Sequence, residues 1–165
     1  MIVDVCAIVR DGAMLSALAS ALIFGTLRAN PRLFLRHFPD AVRATQAPLS
    51  TRERLAGRVV AFALVVLLVG FPIASTRAFA MTSPDASVVD LFVHAFAVGM
   101  FFNLVDWLVI DEAILGLGRP RWAAPTGVDP ACVPFEHARH FRGFLSGTVL
   151  CAVVGVVAAV VSGLL

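Results

Sequence analysis

The stretch from His94 to Gly118 is apolar enough for a membrane span, yet it carries His94, Asn103, Asp106, Asp111 and Glu112. Ionisable groups inside such a span are costly to bury and mark a functional site by default. On an α-helix, Gly99, Asn103, Asp106 and Ile110 share a face, so Asn103 and Asp106, three residues apart, can engage one ligand or each other. Asp111 and Glu112 point elsewhere. A desolvated carboxyl is a competent general acid. That makes Asp106 the candidate acid and Asn103 the group that orients it or its substrate.

A second polar set lies in Val-Pro-Phe-Glu-His-Ala-Arg-His-Phe-Arg-Gly-Phe, residues 133–144. Here Glu136 and His140 are four apart and His137 and His140 three apart, so they can share one helical face. His140 is the candidate base. Asp111, Glu112, Glu136 and His137 complete a binding set, and Arg142, Arg32 and Arg36 suit an anionic head. A metal held by a carboxylate with His137 and His140 stays open, but Glu-His-x-x-His lacks the His-Glu-x-x-His order of a zinc-protease motif. The bland alternative is a structural ion pair, for instance Asp106 with Arg142, because buried charges need partners anyway. No cofactor is indicated.

Long apolar segments must position these groups. The chain is 59% hydrophobic and only 15% charged, against about half and a quarter in soluble domains. Four stretches reach the roughly 20 residues a crossing requires: about 5–27, 55–79, 88–117 and 141–165. They make the 165 residues one all-α domain, a four-transmembrane-helix bundle. Ser50 with Glu53 and Ser87 with Asp90 read as capping boxes, and a kink is expected at Gly70-Phe71-Pro72. In the first span Arg10 and Asp11 should pair with each other or a neighbour. Met1 to Met14 lacks the basic start of a cleaved signal peptide.

All thirteen basic residues are arginine. The loop from Arg28 to Arg58 holds seven of them and the loop from Arg119 to Arg142 four. The positive-inside rule then puts both loops in the cytoplasm and both termini outside. The absence of Lys and Tyr excludes Schiff-base and phenolic acid chemistry. Arginines that flank apolar spans argue against nucleic acid as a partner. Cys6, Cys132 and Cys151 differ in expected depth, which argues against a disulfide or a zinc knuckle.

Lipid gives helices no hydrophobic reason to associate, so close packing needs small residues. The last span has Gly143, Gly147, Cys151, Gly155, Ala159 and Gly163 at four-residue spacing. The ridge suits packing within the bundle, and a homodimer through Gly143, Gly147, Gly155 and Gly163 is a further possibility. In the first loop, Asn30-Pro31 resembles a helix cap. Arg28, Arg32, Arg36 and Arg43 fall on one side, and Phe34, Leu35, Phe38 and Val42 on the other. Interrupted by Pro39, this predicts two short interfacial helices lying on membrane lipid.

Asn30-Pro31-Arg32-Leu33-Phe34, the string from Asn103 to Asp111, and His140-Phe141-Arg142-Gly143-Phe144 with Gly147 resemble a family of small bacterial four-helix membrane proteins of unsettled activity. The resemblance implies a place in the bacterial cytoplasmic membrane, and that the first loop, third span and last loop build one site. The expected function is a membrane-embedded small-molecule site on the cytoplasmic side, with acid–base chemistry such as isomerisation or cyclisation of a lipid-like or isoprenoid-like molecule. A proton-coupled transporter and a structural or accessory subunit are the alternatives.

Overall fold

The computed structural model describes residues 4–164, so Met1 to Val3 and Leu165, the expected end of the last span, lie outside the described residues. Four helices are long and apolar enough to cross a membrane. Helix α1 runs over Val5–Ala29, α3 over Thr51–Thr82, α4 over Val88–Val105 and α5 over His137–Leu164. A short α2, Asp40–Ala44, lies in the first loop. Beyond Val105 the third span does not stay α-helical, and Asp106–Gly118 winds as a π-helix.

The caps form as their residue types dictate. Ser50 Oγ accepts from Glu53 N–H at 3.2 Å while the Glu53 carboxylate accepts from Ser50 N–H at 2.8 Å. Ser87 and Asp90 repeat the exchange at 3.3 and 2.9 Å. Each box satisfies backbone donors that a helix start otherwise leaves bare. Helix α3 continues through Pro72, and Thr76 Oγ donates to the Pro72 carbonyl at 2.8 Å.

The third span is the central post, in contact with α1, α3 and α5. Leu15, Ala19, Val98 and Phe102 form one buried cluster between α1 and α4, and Phe79, Leu91 and Ala159 a second near the other end. Outward faces stay apolar: Phe62 is 70% exposed and Val149 65%. Water would not tolerate a belt of such residues, whereas lipid does.

Close helix contact comes from small residues, as lipid requires. A Cβ on Gly12 would stand 2.6 Å from Phe101, and one on Gly99 3.0 Å from Cys151 Sγ. Gly147 is filled by the Asn103 side chain and Gly155 by Phe92. The middle of the α5 ridge is therefore occupied by the third span of the same chain, while Gly143 has open space around it.

At the arginine-rich end, Asn30 caps a 3-10 turn, Pro31–His37, by accepting from Arg32 N–H at 3.0 Å. Phe38 and Pro39 then separate it from α2, giving the two short pieces expected. One detail differs from the expected amphipathic projection. Arg32 is folded inward, with Nε 2.8 Å from Glu53 and Nη groups on Gln46 and the Ala47 carbonyl at 3.2 and 3.0 Å. A 3-10 turn advances about three residues per turn, so the α-helical projection misplaces this side chain.

Candidate functional site

At the arginine-rich end the helices splay around a cavity of about 480 Å³. Its deep wall is apolar: Ile23 and Leu27 from α1, Leu64 and Leu68 from α3, Phe102 from α4. Its polar side holds Asp106, Asp111, Glu136 and His140, and Arg36, His37, Arg119 and Arg139 also line it. The roof is the 3-10 segment of the first loop, with Phe34 and Phe38, and the last loop, with Pro130, Val133 and Phe135. Trp122 fastens the last loop to α1 by meeting Phe24 edge-on at 5.9 Å.

The π winding decides which acids face inward. In an α-helix Asp111 would lie about 140° from Asp106, which is why the sequence sets them apart. Hydrogen bonding from i to i+5 instead brings residues five apart onto one side, and both carboxylates line the cavity. The expectation that Asp111 points elsewhere is corrected by this winding. π-Turns inside α-helices frequently occur at functional sites.

His140 Nδ1 lies 2.9 Å from Asp111 Oδ2. His137 Nδ1 makes the matching contact to Glu112 at 2.7 Å. Two successive acids of the π segment are thus tied to the first turn of α5. Phe135 completes this corner. Its ring stacks on His140 at 5.1 Å, meets His137 edge-on at 4.3 Å, and sits where a Cβ on Gly116 would be. Gly116 is required there because the ring crosses the backbone.

Asp106 differs from the other acids. It is half-buried and lines the cavity, and its carboxyl makes no hydrogen bond or ion pair among the described residues. The structural pairing with Arg142 does not form. Arg142 is exposed and outside the cavity lining, because two residues along α5 turn it about 200° from His140.

Of the expected site residues, Asp106, His140, Asp111, Glu136 and Arg36 meet at the cavity, while Asn103, Glu112, His137, Arg142 and Arg32 do not line it. Asn103 is spent on helix contact, donating to the Phe144 carbonyl at 3.0 Å and to Thr148 Oγ1 at 3.2 Å. The lining residues missed from sequence include Arg119, Arg139 and Trp107, whereas His37 is legible as one of the cytoplasmic groups at the mouth. For Arg119 and Arg139 the signal was present, since both sit in the second arginine-rich loop. Among the described residues no three His, Cys, Asp or Glu side chains converge as metal ligands.

A second polar group occupies the opposite end. Arg10 Nε contacts Asp11 at 2.7 Å, Ser75 Oγ donates to Asp11 at 2.6 Å, and His94 Nε2 is 2.8 Å from the same hydroxyl. The expected Arg10–Asp11 pair therefore exists and extends across three helices. His94 is 2% exposed and stacks on Phe79 at 4.7 Å.

These features define a multi-pass helical membrane protein with an amphiphilic cavity at its arginine-rich end. No protein-family model matches the chain, and neither a curated protein nor a solved structure matches it.

Proposed function

We propose that the cavity binds a lipid-like or isoprenoid-like small molecule at the cytoplasmic side of a bacterial inner membrane and supports acid–base chemistry on it. The observation that carries this reading is Asp106. An acid lining a partly apolar cavity without a hydrogen-bond or ion-pair partner among the described residues is costly to keep unless a ligand supplies the partner. The distribution of arginines supports placing this end in the cytoplasm and both termini outside. Kinship with small bacterial four-helix membrane proteins belongs to the same reading.

The roles follow from the contacts. Asp111 accepts from His140 Nδ1, which leaves Nε2 as the ring nitrogen free to exchange a proton. His140 is then the base and Asp111 its positioning residue, held further by the Phe135 stack. Asp106 is the acid. One group can release a proton to an apolar substrate while the other removes one, as isomerisation or cyclisation requires. Phenyl and aliphatic side chains form the wall beside these groups.

Mass spectrometry of protein extracted in mild detergent tests the reading. A co-purifying amphiphile present in the native protein and lost in Asp106→Asn supports it. Equal recovery in both, or none in either, removes the role given to Asp106.

A second reading, proton-coupled transport, is favoured by the Arg10–Asp11–Ser75–His94 chain, which supplies proton-exchanging groups in the other half of the bundle. Against it, Leu15, Val98 and Phe102 fill the space between the two polar groups. Vesicles that acidify only when the protein is present, and not with Ser75→Ala, would favour transport.

A further inference from the structure

We propose that Arg36, His37 and Arg139 form a head-group subsite at the cavity mouth for an amphiphile that ends in a tetrahedral oxyanion. The proposal rests on the cavity reading above and adds the chemical class of its occupant.

The three side chains come from two elements. Arg36 and His37 close the 3-10 turn of the first loop, and Arg139 lies in the first turn of α5. Arg139 joins the two by donating to the Arg36 and Phe38 carbonyls at 3.2 and 3.4 Å. Arg36 Nε donates to His37 Nε2 at 3.0 Å. Guanidinium is only ever a donor, so His37 Nε2 must accept and its proton sits on Nδ1. The mouth therefore presents an uncharged imidazole donor and the unengaged Nη groups of Arg36. Glu136 pairs with Arg139 at 3.2 Å.

The surroundings of His37 disfavour its charged form. Loss of water around the ring, then the guanidiniums of Arg36 and Arg139, hold His37 below the usual histidine range, against an opposing pull from Asp111. A forked guanidinium beside a second donor matches sulfate and phosphate geometry.

The cavity of about 480 Å³ leaves room for an apolar chain behind the head group. The chain would lie along Ile23, Leu27, Leu64 and Leu68, which carries it past Asp106.

Decyl phosphate, decanol and inorganic phosphate are the probes, titrated by tryptophan fluorescence into protein held in phosphatidylcholine nanodiscs, with empty nanodiscs as the blank. Trp107 lines the cavity and reports occupancy. Decyl phosphate should bind about tenfold or more tightly than decanol, the size of a charge-assisted contact. Arg36→Gln should remove most of that difference while leaving decanol binding unchanged, which also shows that the variant is folded. Equal binding of decyl phosphate and decanol overturns the subsite and leaves the cavity reading standing. Binding of neither overturns both. Inorganic phosphate that competes at comparable concentration supports the subsite but assigns it to the free anion, and failure to compete assigns it to an amphiphile's head.

Discussion

Asp111 Oδ2 holds His140 Nδ1 at 2.9 Å, one five-residue π-turn along the helix from Asp106. A paired carboxylate and an unpaired one thus share a single cavity. Asp111 has its partner inside the chain, and Asp106 has none among the described residues, so the two acids should respond differently to mutation.

Asp106→Asn should leave the fold intact, since no hydrogen bond or ion pair is lost among the described residues. Asp106→Leu should stabilise the protein by about 1 kcal/mol or more by removing a poorly satisfied acid. Both should abolish ligand recovery. Thermal unfolding in detergent checks the first part, and a large drop in melting temperature for Asp106→Asn would show a structural partner for this carboxyl.

Asp111→Asn should weaken both stability and the site. The two side chains are 28% and 24% exposed, so solvent screens the pair and the loss should stay within about 1 kcal/mol. Ligand turnover should fall further than stability, because His140 loses the group that fixes its tautomer. Turnover that falls only in proportion to folded protein would deny Asp111 a positioning role.

Gly147→Ala should destabilise the bundle by about 1–3 kcal/mol through overpacking, because its methyl group would overlap the Asn103 side chain. Gly143→Ala, with open space around it, should be close to neutral. Paired thermal melts decide this, and equal effects would mean that the ridge is not seated on Asn103.

Ser75→Ala removes the hydroxyl that joins Asp11 to His94. Leaving two buried polar groups without a shared partner should cost about 1–3 kcal/mol, while amphiphile binding at the other end stays unchanged. A variant that unfolds no earlier but binds less would place this chain in the ligand site instead.

His37 supplies a pH signature. Its charged form is disfavoured in the free protein, whereas an oxyanion beside it favours that form. Anion binding therefore raises its pKa, and affinity must rise as pH falls through the ordinary histidine value near 6.5 and below. Decyl sulfate keeps a fixed charge and is the suitable probe. His37→Gln should flatten the profile, and a profile equally steep in the variant would assign the titration to another group. Without ligand the sign for folding is opposite. A depressed histidine stabilises the fold above about 6.5, and this contribution is lost as pH drops through the folded-state value.

The sequence by itself determined the four spans, the caps at Ser50, Ser87 and Asn30, the break at Pro39, and the pairing of Arg10 with Asp11. Each depends on local hydropathy, on hydrogen bonds three residues away, or on the need of a buried charge for an adjacent partner. It also marked the two arginine-rich loops and the third span as the ends of one site. Only the tertiary structure decided which side chains face the cavity. An α-turn and a π-turn satisfy the backbone of Asp106–Gly118 alike, so contacts of Asp111 and Glu112 with α5, and of Gly116 with Phe135, must select between them. That choice turned Asp111 inward. Packing against Gly147 likewise withdrew Asn103 from the site, and the Glu53 carboxylate drew Arg32 away from it. These are interactions between residues far apart in the chain, and no periodicity read along it contains them.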